Sequence, residues 1–182
     1  RNFQGALPLA MGKDSFGEAL VVDLASLPHM MVAGATGAGK SVFINTILVS
    51  LLVKKSPEDL RLLLIDPKQL ELALYTHLPH LVLPVITESS RSAAGLLWAC
   101  EEMERRYNLM KELVVRNLES FNQKIGQVST QEWERVSRFY GREVKQRKLP
   151  HIVIIVDEFA DLILTKNGKS IEHTICRLAA KA

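Results

Sequence analysis

The octapeptide Gly34-Ala-Thr-Gly-Ala-Gly39-Lys40-Ser41 brings glycines, a lysine and a hydroxyl together at a spacing that suits one task, the cradling of phosphate. Gly34, Gly37 and Gly39 let the backbone curl with its N–H groups turned inward, forming a concavity that side chains would obstruct. Lys40 then reaches the β- and γ-phosphates of a nucleotide, and the Ser41 hydroxyl ligates Mg²⁺. The loop lies between the apolar run His29-Met-Met-Val-Ala33 and a helical segment over residues 39–53, so the helix aims its positive end at the same anion. This is the strand, loop and helix order that a phosphate-binding loop requires.

Nucleotide hydrolysis also needs an acidic residue at the tip of a second strand, to hold the hydration shell of Mg²⁺, and a group that orients the attacking water. Asp66 and Asp157 compete for the first role. Asp66 ends the apolar run over 60–65 but is followed by Pro67 and Lys68, whereas Asp157 ends the run over 152–156 and is followed at once by Glu158. A carboxylate pair at a strand end can cap a helix or form salt bridges, but with the phosphate loop upstream the adjacent carboxylate favours a catalytic Asp157. The pair resembles that of the additional-strand ATPases, in which the glutamate polarises water. Switch-type GTPases are excluded, because Asn122-Gln-Lys-Ile125 and Asp157-Glu-Phe-Ala160 match neither the base-reading motif nor the glycine that class requires. A small-molecule kinase fits less well, since a water-activating glutamate would compete with the acceptor substrate.

Positioning these groups takes a parallel sheet. The run over 60–65 is near-continuously apolar, broken by Arg61 alone, and that over 152–156 is continuously so, which predicts strands buried on both faces under helices. A shorter extended piece is predicted over 80–86. Residues 6–11 and 18–24 flank a Gly/Asp/Ser-rich turn and read as a hairpin ahead of the core. Ser89 or Ser90 is placed to cap a long helix whose buried face is Ala93, Leu96, Leu97, Cys100, Met103, Tyr107, Met110 and Val114, with Glu101, Glu102, Glu104, Arg105 and Arg106 on the other side. Residues 117–149 are polar and weakly periodic, an insertion of short helices and loops, and a last helix is predicted over 170–182.

At 182 residues and 47% hydrophobic, the chain suits one buried core, divided here into a lead-in over 1–27 and an ATPase core over 28–182. A net charge of +3 excludes no partner by itself, and the basic run Arg135, Arg138, Arg142, Lys145, Arg147 and Lys148 reads first as a solvated face. Cys100 and Cys176 lack metal-ligand spacing and are expected as small core residues of a reducing compartment. His29, His77, His80 and His151 are scattered, and Lys68 beside Asp66 reads as a local ion pair or a sensor of nucleotide or neighbouring subunit. No run is long enough to cross a bilayer, and Arg1 opens a polar segment unlike a native start, so the chain is expected to be an excised domain.

Residues 28–42, with Leu64-Ile-Asp-Pro-Lys68, Glu102-Met-Glu-Arg-Arg-Tyr107, Arg116-Asn-Leu-Glu-Ser-Phe-Asn122 and Val156-Asp-Glu-Phe-Ala-Asp-Leu162, resemble the motor domain of the FtsK/SpoIIIE DNA translocases over about residues 7–182. The resemblance implies an α/β P-loop NTPase of RecA-like, additional-strand type, which binds ATP and Mg²⁺ and pumps double-stranded DNA as a homo-hexamer in chromosome segregation and cell division. Gly34, Ala35, Thr36, Gly37, Ala38, Gly39, Lys40, Ser41 and Val42 would bind the nucleotide, and Lys40, Asp157 and Glu158 would catalyse its hydrolysis. The resemblance also implies a membrane-anchored parent protein, working at the division septum on the cytoplasmic side of the bacterial cell membrane. The main pore loop, the arginine finger and further core strands would lie beyond residue 182, leaving a loop near Arg116 and Lys124 as this chain's contribution to the DNA path. One missing strand would belong between the phosphate-loop strand and the Asp157 strand, so a gap at the centre of the sheet is expected. A type VII secretion ATPase that moves protein, or a degenerate nucleotide-binding assembly module, are the alternatives.

Overall fold

A computed structural model describes residues 3–27, 29–35, 37–138 and 145–181. The sheet starts from two strands, β3 (Leu60–Ile65) and β4 (His151–Val156), paired in parallel from Leu60 opposite His151 to Ile65 opposite Val156. Before them come β1 (Pro8–Lys13) and β2 (Ala19–Asp23), an antiparallel hairpin with an irregularity between Ala10 and Gly12. Asp23 closes it by accepting hydrogen bonds from the backbone of Ala6, Leu7 and Ala25. The helices are α1 (Lys40–Leu52), α2 (Ser89–Glu112), α3 (Leu118–Lys124), α4 (Thr130–Arg138), α5 (Phe159–Ile163) and α6 (Gly168–Lys181).

Strand alternation divides the core into two layers. Leu60, Leu62 and Leu64 pack with Ile44, Ile47, Leu48 and Leu51 of α1 and with Leu7 and Leu9 of the hairpin. Leu63 and Ile65 turn the other way, onto Leu96, Ala99 and Cys100 of α2 and Ile171 and Leu178 of α6. The continuous apolarity of β3 is thereby explained, since both of its faces are covered. A third cluster joins the end of α2 to the insertion through Leu109, Leu113, Phe121, Trp133, Val136 and Leu149. The predicted extended piece over 80–86 survives as two parallel bridges, Leu62 with Leu81 and Ile65 with Ile86.

Several expectations are corrected. Residues 29–33 form no strand, and Met31 is 86% exposed. β4 is less covered than predicted: only Val153 is buried, and among the described residues β4 pairs with β3 alone. An extended run without a ladder partner leaves its N–H and C=O groups unpaired, and β4 has one neighbouring strand among the described residues. In α2, Ser89 and Ser90 lie inside the helix and Glu88 stands at its N-cap position without a side-chain bond. Tyr107, at 68% exposure, and Leu97, at 46%, leave the predicted buried face, and Val114 lies beyond the helix with a φ of 53°. The small residues Ser92, Gly95 and Ala99 bury instead, because the sheet approaches α2 closely there. Cys100 is buried as expected, whereas Cys176 is exposed.

Arg105 and Arg106 also depart from a solvated face. Both guanidinium groups bond Glu102, at 2.6–2.7 Å, and Arg106 donates to the Pro150 carbonyl at the entry to β4. Burial alone would raise the Glu102 pKa, but the hydrogen bonds from Arg105 and Arg106 outweigh it and hold the carboxyl below its ordinary value. A depressed folded pKa stabilises above the unfolded value of about 4.3 and loses that contribution as pH falls through the folded value. Arg106→Ala is therefore expected to cost about 2 kcal/mol near neutral pH, and its deficit against wild type in thermal unfolding should narrow on acidification to about pH 3. A deficit of the same size at both pH values would assign the effect to packing alone.

Candidate functional site

The phosphate-loop backbone adopts the curled form that its glycines permit. Gly37 and Gly39 have φ values of 81° and 90°, a region costing L-residues about 1–2 kcal/mol. A Cβ on either would meet nothing within 4 Å, so the backbone conformation, rather than crowding, is what selects glycine there. The Ala38 N–H closes the turn on the Ala35 carbonyl at 2.9 Å, and Gly39 caps α1. Thr36 lies outside the described residues. Val42, just inside the helix, is 69% exposed beside the loop.

Lys40 opens α1 and reaches across to the end of β4. Its Nζ donates to the Asp157 carbonyl at 2.8 Å and to Asp157 Oδ1 at 3.2 Å, and lies 3.6 Å from Glu158 Oε2. Asp157 is buried, and its N–H extends the ladder to the Ile65 carbonyl. Glu158 occupies the N-cap position of α5 yet makes no side-chain cap bond, so its carboxylate remains partly exposed. Residues 117 positions apart in the chain, Lys40 and Asp157, are thus brought together because the first residue of α1 lies against the C-terminal end of β4.

Ser41 has a partner that sequence reading missed. Its Oγ donates to Glu71 Oε1 at 2.6 Å. Glu71 follows β3 on a tight loop, held because the fully buried Asp66 accepts from the N–H groups of Glu71 at 3.1 Å and Leu72 at 2.9 Å through one oxygen, Oδ2. The other oxygen, Oδ1, is buried without a hydrogen-bond partner, and Gln69 turns the loop with a φ of 58°. Lys68 pairs with Asp161 at 3.0 Å rather than with Asp66, and that carboxylate raises its pKa. The carboxylate five residues beyond Asp66 was the signal available for Glu71.

The acidic and hydroxyl donors fit Mg²⁺ in the manner of nucleotide sites. Such ions take one or two protein oxygens and complete their octahedron with phosphate and water. Ser41 and Asp157 are the residues that would supply that donor set, and no group of three or more His, Cys, Asp or Glu among the described residues forms an all-protein cage. His80 instead bonds the Lys55 carbonyl.

The candidate DNA-facing residues separate. Arg116 is exposed, whereas the Lys124 ammonium donates to the Leu113 carbonyl at 2.7 Å, closing the end of α2. In the basic run, Arg135 and Arg138 sit on α4 and Lys145, Arg147 and Lys148 are exposed, while Arg142 lies outside the described residues.

The family model described as FtsK/SpoIIIE matches residues 1–182. The DNA translocase FtsK of Haemophilus influenzae is 46% identical over 189 residues, covering 100% of this chain and 36% of the relative. That of Haemophilus ducreyi is 48% identical over 189 residues, again covering 100% of this chain but 20% of the relative. The chain therefore spans about a third of the first relative and a fifth of the second. Among solved structures, the pCW3 conjugation coupling protein TcpA, in a monomer form with ATPγS, superposes with a TM-score of 0.63 at 22% identity over 97% of this chain and 43% of that one. The cytoplasmic domain of the Thermomonospora curvata type VII secretion ATPase EccC gives 0.57 at 24% identity over 97% of this chain and 20% of that one. At these identities the structural likenesses show the fold alone, an α/β P-loop ATPase fold with a parallel sheet between helices.

Proposed function

Because the chain belongs to the FtsK/SpoIIIE family, we propose that it is the ATP-hydrolysing core of a motor that moves double-stranded DNA. The observation that carries this reading is the convergence of the phosphate-loop lysine on the strand-end pair, Lys40 on Asp157 and Glu158. Nucleotide phosphate entering the glycine cradle competes with both carboxylates for the Lys40 ammonium. Lys40 turning to phosphate would release both carboxylates, leaving Asp157 to accept hydrogen bonds on the metal side of the site and Glu158 to orient the attacking water. Mg²⁺, held by Ser41 and, through water, by Asp157, would neutralise charge developing on the transferred phosphoryl group.

In this reading residues 1–27 are a lead-in whose β1–β2 hairpin packs on α1, residues 28–182 carry the motor core and residues 117–149 are its insertion. The motor works as a homo-hexamer at the division septum, on the cytoplasmic side of the cell membrane, tethered by a segment outside these 182 residues. No helix among the described residues is long and apolar enough to cross a membrane. The deciding measurement is ATP hydrolysis by the whole protein with and without double-stranded DNA. Stimulation by DNA of any sequence, weakening steeply with salt, is expected of a motor that grips phosphates. Turnover indifferent to DNA would favour the protein-moving alternative.

A residue-level expectation follows for the DNA path. Arg116 is exposed, so Arg116→Ala should lower DNA-stimulated turnover and flatten its salt dependence more than neutralising Arg142, Lys145 and Arg147 together. Lys124→Ala should act chiefly on stability, through the lost bond to the Leu113 carbonyl. The reverse ranking in a salt titration would move the DNA path to the insertion.

A further inference from the structure

A serine hydroxyl has one proton and two lone pairs, and a ligand to a cation must use a lone pair. Where the proton goes therefore decides how well the oxygen can bind metal. Ser41 donates its O–H to Glu71 Oε1 in a hydrogen bond of 2.6 Å, a length typical of charge-assisted O–H···O⁻ bonds. The bond leaves the Oγ lone pairs available and raises their electron density, as outer-shell carboxylates do for other metal ligands.

Glu71 is well fixed for such a role. Asp66 grips the N–H groups of Glu71 and Leu72, Leu72 is fully buried in the core, and Gln69 turns the intervening loop through a left-handed conformation. Asp66 itself is fully buried at the end of β3, beside the strand that carries Asp157. The anchoring runs from strand to carboxylate to loop to serine, so the end of β3 sets the orientation of a hydroxyl on α1.

Resting on the reading of Ser41 as a Mg²⁺ ligand, we propose that Glu71 is a positioning residue of the metal site, which accepts the hydrogen bond of the Ser41 hydroxyl and so orients its oxygen toward Mg²⁺. Glu71 touches neither phosphate nor attacking water in this assignment. It acts through Ser41.

The test is binding of a fluorescent non-hydrolysable ATP analogue to the whole protein, titrated with Mg²⁺ and compared with binding in chelator. Glu71→Ala should raise the Mg²⁺ concentration at half effect by about 10- to 100-fold while leaving affinity in chelator unchanged. Glu71→Gln keeps an acceptor oxygen and should lie closer to wild type than Glu71→Ala. A wild-type Mg²⁺ midpoint in Glu71→Ala overturns the proposal, as does a Gln variant no better than the Ala variant, or analogue binding lost in chelator. Ser41→Ala and Lys40→Ala test the underlying reading separately. If Ser41→Ala keeps the wild-type midpoint and Lys40→Ala binds the analogue normally, the nucleotide site is wrongly placed and this proposal falls with it; if both respond and Glu71→Ala does not, only the role of Glu71 falls.

Discussion

Lys40→Ala is expected to lose ATP turnover by at least about 10²–10³-fold, the scale seen when one preorganised donor to transition-state charge is removed, while the protein still folds. Lys40 is a fixed cation at the mouth of the glycine loop, with Nζ poised between Asp157 and Glu158. Lys68, whose charge also interacts with Asp157 and Glu158, is committed to Asp161. The change also leaves the buried Asp157 carboxylate without its cation, so thermal unfolding should show a loss of about 1–3 kcal/mol. Circular dichroism of the folded variant separates that structural cost from the catalytic one. Turnover close to wild type would remove Lys40 from the phosphate site.

Glu158→Gln should behave differently, binding ATP and Mg²⁺ normally while hydrolysis falls by about 10²–10⁴-fold, the range attributed to a general base. The isosteric amide keeps the shape at the N-cap position of α5, where the side chain makes no cap bond that its loss would break. Asp157→Asn should in addition weaken the dependence on Mg²⁺, because Asp157 is the strand-end carboxylate assigned to the metal's water shell. It also bonds Lys40, so some loss of stability accompanies it. Single-turnover hydrolysis and equilibrium binding on the same preparations distinguish the two variants. Equal loss of nucleotide affinity in both would contradict the division of labour between Asp157 and Glu158.

The basic residues carry a caution about reading function from charge. Arg116 and Lys124 look alike as candidate DNA contacts in the chain, yet one is exposed and the other is spent on a backbone carbonyl. Likewise Glu102 and Arg106 sit at helix spacing on what reads as a polar face, but the helix end packs against the insertion and turns them into a link to Pro150. Charge is local to the sequence; its solvation is not.

What the sequence alone determined is whatever depends on contiguous residues. The glycine loop was legible because φ values near +80° to +90° at Gly37 and Gly39 are open to glycine, and the lysine and serine follow without interruption. β3, β4, α1, α2 and α6 were legible because apolar runs and helical periodicity are local signals, and the Asp157-Glu158 pair stands directly at a strand end. The tertiary structure decided what depends on approach across the chain. It showed that Lys40 meets Asp157, that Ser41 meets Glu71, that Lys68 turns to Asp161, and that Tyr107 and Cys176 face outward. It also showed that the apolar run over 29–33 forms no strand. A side chain's partner is set by helix rotation and strand register, which residue type does not specify, and a strand exists only when its N–H and C=O groups are paired.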